Sequence, residues 1–358
     1  MSRLVVLGSG LLARALCHSL AVVVDRPVTV TVLARDVARA AEVADVSAVR
    51  AALGGNPVRF AAEALDVADE AALAAVLHRL DPAWVVQCAS YQSPWERLTA
   101  PSEWTRLLTA AGFGVTAPLQ AGLAVRTAAA LRRAGSSARL LNACFPDAVN
   151  PLLTALGLPV TAGLGNVALV TASLRQALGL RPDDRLRVLA HHVHLHAPRH
   201  PADEALAWVD DRQVTGVTEA LTRQRRTGRP ELNAITGHTA ALLLRDLIAG
   251  RTVAANLPGP AGLPGGYPVR LDPTGAVTLD LPAGWDRDAA VDWNDRAGRR
   301  DGFRLADGRV RFSDAARAAL APWLPEYAAG FPVADLPGVT ARLLALREDL
   351  RARPGRPA

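Results

Sequence analysis

A dense run of histidines marks the segment LAHHVHLHAPRH, residues 189–200, which holds five of the eight histidines in the chain. An imidazole can bind a metal ion or exchange a proton near neutral pH. If the segment continues a strand, alternation places His192, His194 and His196 on one face and His191 on the other. The first and third would then lie roughly 13 Å apart, so at most a neighbouring pair can chelate. We therefore favour a catalytic or substrate-contacting histidine over a metal site, with structural histidines as the alternative.

A glycine-rich turn follows the first predicted strand. The sequence SRLVVLGSGLLARALCHSLA runs from an apolar strand through a tight turn into a helical pattern. Glycine at position 8 suits the turn, glycine at 10 lets the backbone approach a pyrophosphate, and a small residue at 13 lets helix and strand pack closely. This context predicts a Rossmann fold that binds a dinucleotide cofactor. The predicted contacts are Gly8, Ser9, Gly10, Leu11, Leu12 and Ala13.

The residues at the end of the second predicted strand, VTVTVLAR, indicate which nicotinamide cofactor is bound. Arg35 stands where an acid would bind the ribose 2′-hydroxyl of NAD, and its guanidinium can pair with a 2′-phosphate. We therefore predict NADP as the favoured cofactor. The alternative is that Arg35 is a solvated loop residue and Asp36 binds the ribose of NAD.

Two further strand ends extend the predicted cofactor site. The stretch VRFAAEALDVADEAALAAVLHRLDPAWVVQCAS contains a strand ending near Asp66, a helix and an apolar strand from Trp84. It resembles the saccharopine-dehydrogenase-like and short-chain reductase Rossmann domains. That resemblance implies that Asp66 flanks the adenine and that Cys88, Ala89 and Ser90 line the cofactor. Helix capping is the alternative role for Asp66.

The segment ARLLNACFPDAVNP places polar residues after another predicted parallel strand. Open α/β sheets bind ligands at the carboxyl ends of their strands. We therefore predict that Asn142 contacts the cofactor and that Asp147 polarises a catalytic histidine or acts as acid or base itself. A capping or turn aspartate is the alternative for Asp147.

The order of elements in the second half resembles the lactate/malate dehydrogenase superfamily and its NAD-dependent glycosidase branch. The resemblance rests on NACFPDAVNPLLTALGLPVTAGLGNVAL, the histidine run, the helix TGHTAALLLRDLIAG and the strands in NLPGPAGLPGGYPVRLDPTGAVTLDLP. It places AHHVHL on the catalytic segment of the dehydrogenases, with His192 as the catalytic histidine. The acid that orients that histidine in the family would fall near Ala168.

The same resemblance suggests substrate contacts. His238 opens a helix that lies over the substrate in those enzymes, and Arg175 stands near a substrate arginine. We add His194 from the histidine run and Arg226 from TRQRRTGRP, because a guanidinium can bind a carboxylate or phosphate. Surface positions are the alternatives for His238 and Arg226.

The composition excludes several classes of function. All 40 basic residues are arginine, which excludes a Schiff-base lysine and a Walker lysine. The charge is +6, but the arginines are spread along the chain and aromatic residues make up 4%, so we expect no nucleic-acid partner. The three cysteines show no CxxC spacing, and no apolar run reaches membrane length. We expect a cytoplasmic protein without a membrane partner.

These observations predict an α/β protein with a doubly wound parallel Rossmann sheet and a mixed α/β second domain of lactate/malate-dehydrogenase type. The predicted units are residues 1–160, residues 161–330 and a C-terminal helix and tail at 331–358. The predicted function is an NAD(P)-dependent oxidoreductase, a homodimer acting on a small keto, imino, hydroxy or amino acid. The alternatives are a nicotinamide-using hydrolase or lyase and a non-catalytic Rossmann-derived binding protein. The cysteine that usually ligates metal in the glycosidase branch is replaced at Gly165.

Overall fold

A computed structural model describes residues 2–94 and 96–353. Within these ranges, six parallel strands form the central sheet. They are β1 (Ser2–Leu7), β2 (Val28–Ala34), β3 (Val58–Ala64), β4 (Trp84–Gln87), β5 (Arg139–Asn142) and β6 (Ala162–Gly163). The strand order is β3-β2-β1-β4-β5-β6, which is the order of a Rossmann sheet and changes direction between β1 and β4.

Helices connect the strands of this sheet. They are α1 (Leu11–Val23), α2 (Val37–Gly54), α3 (Glu70–Leu80), α4 (Glu96–Thr99), α5 (Glu103–Ala111), α6 (Ala117–Arg133) and α7 (Pro146–Ala155). Side chains cap several of them: Asp36 accepts the Arg39 N–H, and Asp69 accepts the Ala72 N–H. A 3₁₀ turn at Phe113–Thr116 precedes α6.

The second half contains small antiparallel sheets and further helices. Its first part comprises α8 (Asn166–Ala177), β7 (Leu186–Leu189), β8 (Leu206–Val209), β9 (Arg212–Gln213), α9 (Val217–Ala220), α10 (Thr222–Arg226) and α11 (Arg229–Ile248). The next strands are β10 (Val253–Pro258), β11 (Gly266–Leu271) and β12 (Val277–Leu279). One sheet joins β7, β8 and β9, and another joins β10, β11 and β12.

The last part of the chain returns to the parallel sheet. It comprises α12 (Arg287–Arg300), β13 (Phe303–Ala306), β14 (Arg309–Phe312), α13 (Asp314–Leu320), β15 (Phe331–Pro332) and α14 (Leu336–Arg351). Short 3₁₀ turns lie at His192–Leu195, Pro201–Asp203, Pro260–Gly262 and Val333–Asp335. The predicted fold class, a parallel Rossmann sheet followed by a mixed α/β part, is confirmed.

Alternating side chains of the parallel strands divide the core into two layers. In β1, Val5 and Leu7 belong to the layer formed with α3, α6 and the C-terminal segment. Leu4 and Val6 point to the opposite layer, formed with α1, α2 and α11. Both faces of the sheet are therefore covered, which explains the continuous apolar sequence of β1.

Several contacts lie near or across the predicted domain boundaries. The sixth strand of the parallel sheet ends at Gly163, just beyond the boundary predicted at 160. Phe303 and Val310 join the core layer of the first unit, although they lie within the range predicted for the second. Helix α14 packs against α5 and α6, and residues 354–358 of the predicted tail lie outside the described residues. Among the described helices, none is long and apolar enough to cross a membrane.

The crossing of α1 and α11 joins the two halves of the chain. A Cβ atom at Gly237 would lie 2.6 Å from the Ala15 Cβ and 2.6 Å from the Leu16 backbone nitrogen. Because no real Cβ atom approaches a neighbour so closely, glycine at 237 permits the contact between the two helices.

We predict that Gly237→Ala lowers the free energy of unfolding by about 1–3 kcal/mol, because α11 must move away from α1. Gly338→Ala is the matched control, since a Cβ there meets no atom within 4 Å. Alanine has the higher helix propensity, so the control variant should be as stable as the parent or slightly more stable. Urea unfolding of the three proteins measures this, and equal midpoints for both variants would contradict the close approach.

Candidate active site

The histidine run does not continue as a strand. Strand β7 ends at Leu189, and residues His192–Leu195 form a 3₁₀ turn. The His194 N–H donates to the His191 carbonyl at 3.0 Å, and the His191 N–H donates to His194 Nδ1 at 2.8 Å. The expectation that His192, His194 and His196 share one strand face is therefore wrong, because these local hydrogen bonds turn the backbone.

His192 is held at two points by carboxylates. Its Nδ1 lies 2.7 Å from Asp301 Oδ2, and its backbone N–H donates to Asp147 Oδ1 at 3.0 Å. The side chain of His192 is 18% exposed, whereas that of Asp301 is 8% exposed. His192 thus lies at the edge of a buried polar cluster, with one side of its ring fixed and part of it accessible.

Two phenylalanine rings fix the plane of the imidazole. Phe113 stacks on His192 with ring centroids 5.0 Å apart and an interplanar angle of 25°. Phe145 meets the same ring edge to face at 5.0 Å. The two phenylalanines also contact each other, again at 5.0 Å. This packing leaves the imidazole little rotational freedom and shields it from water on two sides.

The 3₁₀ turn at 113–116 positions Asp301 as well as Phe113. The Gly114 N–H donates to the Asp301 carbonyl at 2.8 Å. A Cβ at Gly114 would lie 2.5 Å from that carbonyl oxygen and 2.6 Å from the Phe303 Cβ. One short segment therefore carries the ring that stacks on the histidine and the amide that anchors the acid.

The surroundings of the two carboxyl groups give them opposite pKa shifts. Burial alone would raise the pKa of Asp301, but the charge and hydrogen bond of His192 outweigh burial and hold it below the ordinary value. Burial raises the pKa of Asp147 to about 6, despite the opposing charge of His192. Asp301 is therefore a carboxylate at neutral pH and accepts the hydrogen bond from His192 Nδ1–H. This fixes the tautomer and makes Nε2 the atom that would exchange a proton with a substrate.

The buried cluster contains polar atoms without hydrogen bonds inside the protein. Asp147 Oδ2 and His191 Nδ1 are both buried and have no hydrogen-bond partner among the described residues. Burial lowers the pKa of His191 to about 3, so its ring is neutral. Unsatisfied buried atoms are rare in folded proteins, and a catalytic role is one of the reasons for which proteins retain them.

The predicted glycine turn has the geometry of a phosphate-binding turn. Gly8 has a φ of 110°, in the region that favours glycine, and a Cβ there would lie 3.2 Å from Ala89. Gly10 is the N-cap of α1, with no side chain capping the helix and no atom within 4 Å of a Cβ placed there. Among the described residues, no side chain caps the first amides of α1, and these are the groups that would bind a pyrophosphate.

The other residues predicted in this motif lie around the same helix start. Ala13 is fully buried between helix and sheet, as close packing requires. Leu11 is 50% exposed, whereas Ser9 and Leu12 are partly buried. The predicted cofactor contacts of these residues stay predictions.

A chain of contacts connects the glycine turn to the histidine. The Cys88 N–H donates to the Leu7 carbonyl at 2.9 Å, which places the end of β4 beside the end of β1. Cys144 Sγ lies 3.2 Å from the Ala89 carbonyl, so the loop after β5 lies against the loop after β4. Phe145, which follows Cys144, contacts the His192 ring. The candidate cofactor turn and the His192 cluster therefore share the carboxyl edge of the sheet.

Arg35 and Asp66 occupy the strand ends predicted for the adenosine part of the cofactor. Both are exposed, and both act electrostatically on Tyr91, whose pKa is raised mainly by burial. Asp36 caps α2 through its carboxylate, and Asp66 Oδ1 accepts the Ala68 N–H at 3.0 Å. The structure brings Arg35 and Asp66 to the same region. Asp66 forms a local turn, but the residue that caps α3 is Asp69, so the helix-capping alternative for Asp66 is not supported.

Asn142 and Ser90 make hydrogen bonds within the protein. Asn142 is fully buried; its Nδ2 donates to Asn150 Oδ1 at 2.9 Å, and its Oδ1 accepts the Cys144 N–H at 2.9 Å. A direct cofactor contact of Asn142 is therefore not supported, and its amide shapes the loop that presents Phe145. Ser90 Oγ donates to the Gln92 carbonyl at 2.8 Å.

His194 serves the structure of its own segment. It is 1% exposed and stacks on Trp293 with ring centroids 5.2 Å apart. Its Nδ1 accepts the His191 N–H, and its Nε2 lies 3.0 Å from the Asp203 carbonyl. Burial, aided by the charge of Arg300, lowers its pKa to about 4. The predicted substrate contact of His194 is not supported, because both ring nitrogens are engaged inside the protein.

The remaining predicted substrate residues lie apart from the His192 cluster or on exposed helix faces. Arg175 binds the Arg181 and Asp184 carbonyls in the loop before β7, at the opposite end of that strand from the histidine turn, so its predicted substrate role is not supported. Arg226 is exposed at the end of α10. His238 is exposed on α11, next to the crossing with α1. The roles of Arg226 and His238 stay predictions.

Asp301, Phe113 and Phe145 are the members of the cluster that the sequence did not predict. Asp301 is 109 residues from His192 and precedes a glycine, so RRDGF resembles an ordinary turn. It takes the orienting position for which the resemblance offered only Ala168. Within the described residues, no group of three or more His, Cys, Asp or Glu side chains is arranged to hold a metal ion.

Solved structures of malate and lactate dehydrogenases have a similar architecture. Malate dehydrogenase from Picrophilus torridus is similar, with a TM-score of 0.55, 14% identity and coverage of 84% of this chain and 96% of that one. Lactate dehydrogenase from Eimeria maxima, whose structure contains NADH and oxamate, gives a TM-score of 0.53, 11% identity and coverage of 84% and 91%. The chain thus has the two-part fold of lactate and malate dehydrogenases.

Other comparisons add little to this picture. Saccharopine dehydrogenase from Saccharomyces cerevisiae overlaps 40% of this chain and 21% of its own length, with 20% identity and a TM-score of 0.25. No family model and no curated protein sequence matches the chain. The relationship to lactate and malate dehydrogenases therefore rests on the fold alone.

We predict that the two buried carboxyl groups change stability with opposite pH dependence. The pKa of Asp147 is raised from 3.8 to about 6, so the folded state binds the proton more tightly than the unfolded state does. The free energy of unfolding of the wild type therefore falls as the pH rises from about 4 to 6. Asp147→Asn removes this loss while keeping an acceptor for the His192 N–H. Relative to wild type, the variant should gain on the order of 2–3 kcal/mol of unfolding free energy between pH 4 and pH 8.

Asp301→Asn is the matched comparison. Because the pKa of Asp301 is lowered, its stabilising contribution is present above the unfolded value of 3.8 and is lost as the pH falls through the folded value. Relative to wild type, this variant should therefore lose stability as the pH rises towards about 4, and the difference should stay nearly constant above that pH. Urea unfolding from about pH 3 to pH 8 measures both trends, and parallel curves for the two variants would contradict the assignment.

Proposed function

We propose that this protein is an NAD(P)-dependent oxidoreductase in which His192 is the acid and base. The observation that carries the proposal is the hydrogen bond of 2.7 Å between His192 and Asp301 at the sheet edge that also carries the glycine turn. A buried carboxylate that orients a partly exposed imidazole is typical of proton-transfer sites. The presence of this pair favours an enzyme over a non-catalytic binding protein with a Rossmann fold.

The residues of the glycine turn fit a dinucleotide cofactor. The uncapped start of α1 and the open space at Gly10 would hold the pyrophosphate, and Arg35 and Asp66 would flank the adenosine part. When bound, the nicotinamide would accept or supply a hydride at the substrate carbon. The neighbouring loops at Ala89 and Phe145 lie between the turn and His192, where the nicotinamide and the substrate would meet.

The protein's own residues account for the proton. During oxidation of an alcohol or amine, the proton of the substrate O–H or N–H would pass to His192 Nε2 as the substrate carbon loses its hydride. Asp301 stabilises the resulting imidazolium through Nδ1–H, and Phe113 and Phe145 keep the ring in position. In reduction the same proton returns to the carbonyl or imine. The proposed substrate is a small keto or imino acid, or the corresponding hydroxy or amino acid.

We predict that Gly10→Asp weakens NADH binding by roughly a hundredfold, because it places a carboxylate against the pyrophosphate at a partly desolvated site. The variant should fold normally, since a Cβ at Gly10 meets no atom within 4 Å and aspartate is a favoured N-cap. NADH fluorescence titration gives the affinity, and thermal unfolding checks the fold. Unchanged affinity in a folded variant would exclude the glycine turn as the cofactor site.

We predict that Arg35 favours NADPH over NADH. Arg35→Asp should change the ratio of the two dissociation constants by about tenfold towards NADH, because the charge that pairs with the 2′-phosphate is reversed. Arg26→Asp, at an exposed position before β2, is the matched control for the change in net charge. The assignment is wrong if Arg35→Asp leaves the ratio unchanged.

A further inference from the structure

Exposed apolar side chains concentrate on three neighbouring helices. Among the described residues, eight large hydrophobic side chains are exposed, and seven of them lie on α1, α2 and α11. They are Leu11, Val22, Val37, Val46, Val49, Leu53 and Ile235. Helix α1 packs against both α2 and α11, so the three helices form one layer on the parallel sheet. Isolated exposed apolar residues are ordinary on a soluble protein, whereas a concentration of them on one layer indicates an interaction surface.

Helical spacing places most of these side chains on the same side of the layer. Residues three, four and seven apart share one side of a helix. Val46, Arg50 and Leu53 therefore form one stripe along α2, and Val22 follows His18 by one turn of α1. Arg50 and His18 both line an open groove between the three helices, so the apolar side chains border that groove. The most exposed of them, Leu53, is 84% accessible.

The outer face of the three helices combines a ridge with a groove. The ridge is the stripe of α2, beside which Val49 is 60% exposed. The groove has a volume of about 350 Å³, and Leu11, Ala15 and Ala234 contribute apolar atoms to its lining. A surface that carries both shapes can pack against a copy of itself, because a two-fold axis brings the ridge of each copy to the groove of the other.

The size of this face matches that of a dimer interface. Its helices have 13, 18 and 20 residues. At a rise of about 1.5 Å per residue and a spacing of about 9 Å between neighbouring axes, they span roughly 700 Å². A standard protein–protein interface buries about 800 Å² on each partner. A second copy that covers the three helices and their margins would therefore bury enough area for a stable dimer.

The charge of the face also suits a second copy. The whole chain has a formal charge of +6, so two copies repel each other at long range. The three helices together carry five arginines and four acidic residues, a net charge of +1. Within the chain, Arg14 and Glu42 already pair through hydrogen bonds of 2.8 and 2.9 Å. The repulsion is therefore weak where two copies meet through this face, and a strongly acidic or basic partner would find no matching charge there.

We propose that the outer face of α1, α2 and α11 is the interface of a two-fold symmetric homodimer. The α2 stripe of each copy lies against the groove along α1 of the other, and Val49 and Leu53 lose most of their contact with water. Burial of these apolar side chains supplies the free energy of association. The proposal concerns association alone, and it holds whether or not the chain binds a nicotinamide cofactor.

Sedimentation velocity of the full chain at micromolar concentrations tests this interface. The wild type should sediment as a dimer, with twice the 37.7 kDa mass of one chain. Val49→Asp and Leu53→Asp each place one carboxylate from each copy in the apolar interface. Each should therefore raise the dimer dissociation constant by roughly a hundredfold or more. Leu53→Ser, which removes apolar contact without adding charge, should raise it by about tenfold.

Trp323→Asp is the matched control, because Trp323 is the exposed large hydrophobic residue that lies outside the three helices. It should remain a dimer. Since positions 49 and 53 are exposed in the single chain, circular dichroism should show native secondary structure for every variant, and Leu53→Ser keeps the test decisive if an aspartate variant unfolds. A monomeric wild type would overturn the proposal and leave the face to a different partner. A wild-type dimer that survives all three substitutions on α2, or that only Trp323→Asp dissociates, would overturn it as well.

Discussion

His192 is oriented by Asp301, an acid that lies 109 residues further along the chain. The Asp301 carboxylate binds the imidazole, while its backbone carbonyl accepts the amide of Gly114. Three segments that are distant in sequence therefore meet at one residue. The close approach at Gly114 leaves no room for a side chain, so the position of Asp301 is set by backbone contact as well as by charge. The geometry of the imidazole is thus fixed before any ligand binds.

In the same cluster, different surroundings give two chemically identical carboxyl groups opposite pKa shifts. Asp301 gains a hydrogen bond from the histidine ring and keeps its charge. Asp147 accepts a backbone amide through one oxygen, and its other oxygen has no hydrogen-bond partner within the described part of the chain. Desolvation therefore dominates at Asp147 and raises its pKa. A buried carboxyl group of this kind reduces stability at neutral pH, which is a cost that proteins often bear at functional sites.

Local patterns predicted much of the fold and only part of the site. The glycine turn and the apolar strands of the parallel sheet were predicted, because each depends on a few consecutive residues. The turn at His192 was not, since the bonds between His191 and His194 compete with strand alternation. Asp301 was missed because nothing in RRDGF indicates a partner 109 residues away. Helix α12 ends at Arg300, and Asp301 directly follows it as the C-cap residue.

The position of Asp301 after all six strands of the parallel sheet affects when the site can form during synthesis. A nascent chain that has emerged as far as β12 contains every strand of the parallel sheet and the histidine turn, but no acid to orient the imidazole. The parallel sheet and the helices around it can pack before that acid arrives. The contact between His192 and Asp301 can therefore form only after residue 301 has been synthesised, later than the packing of the parallel sheet.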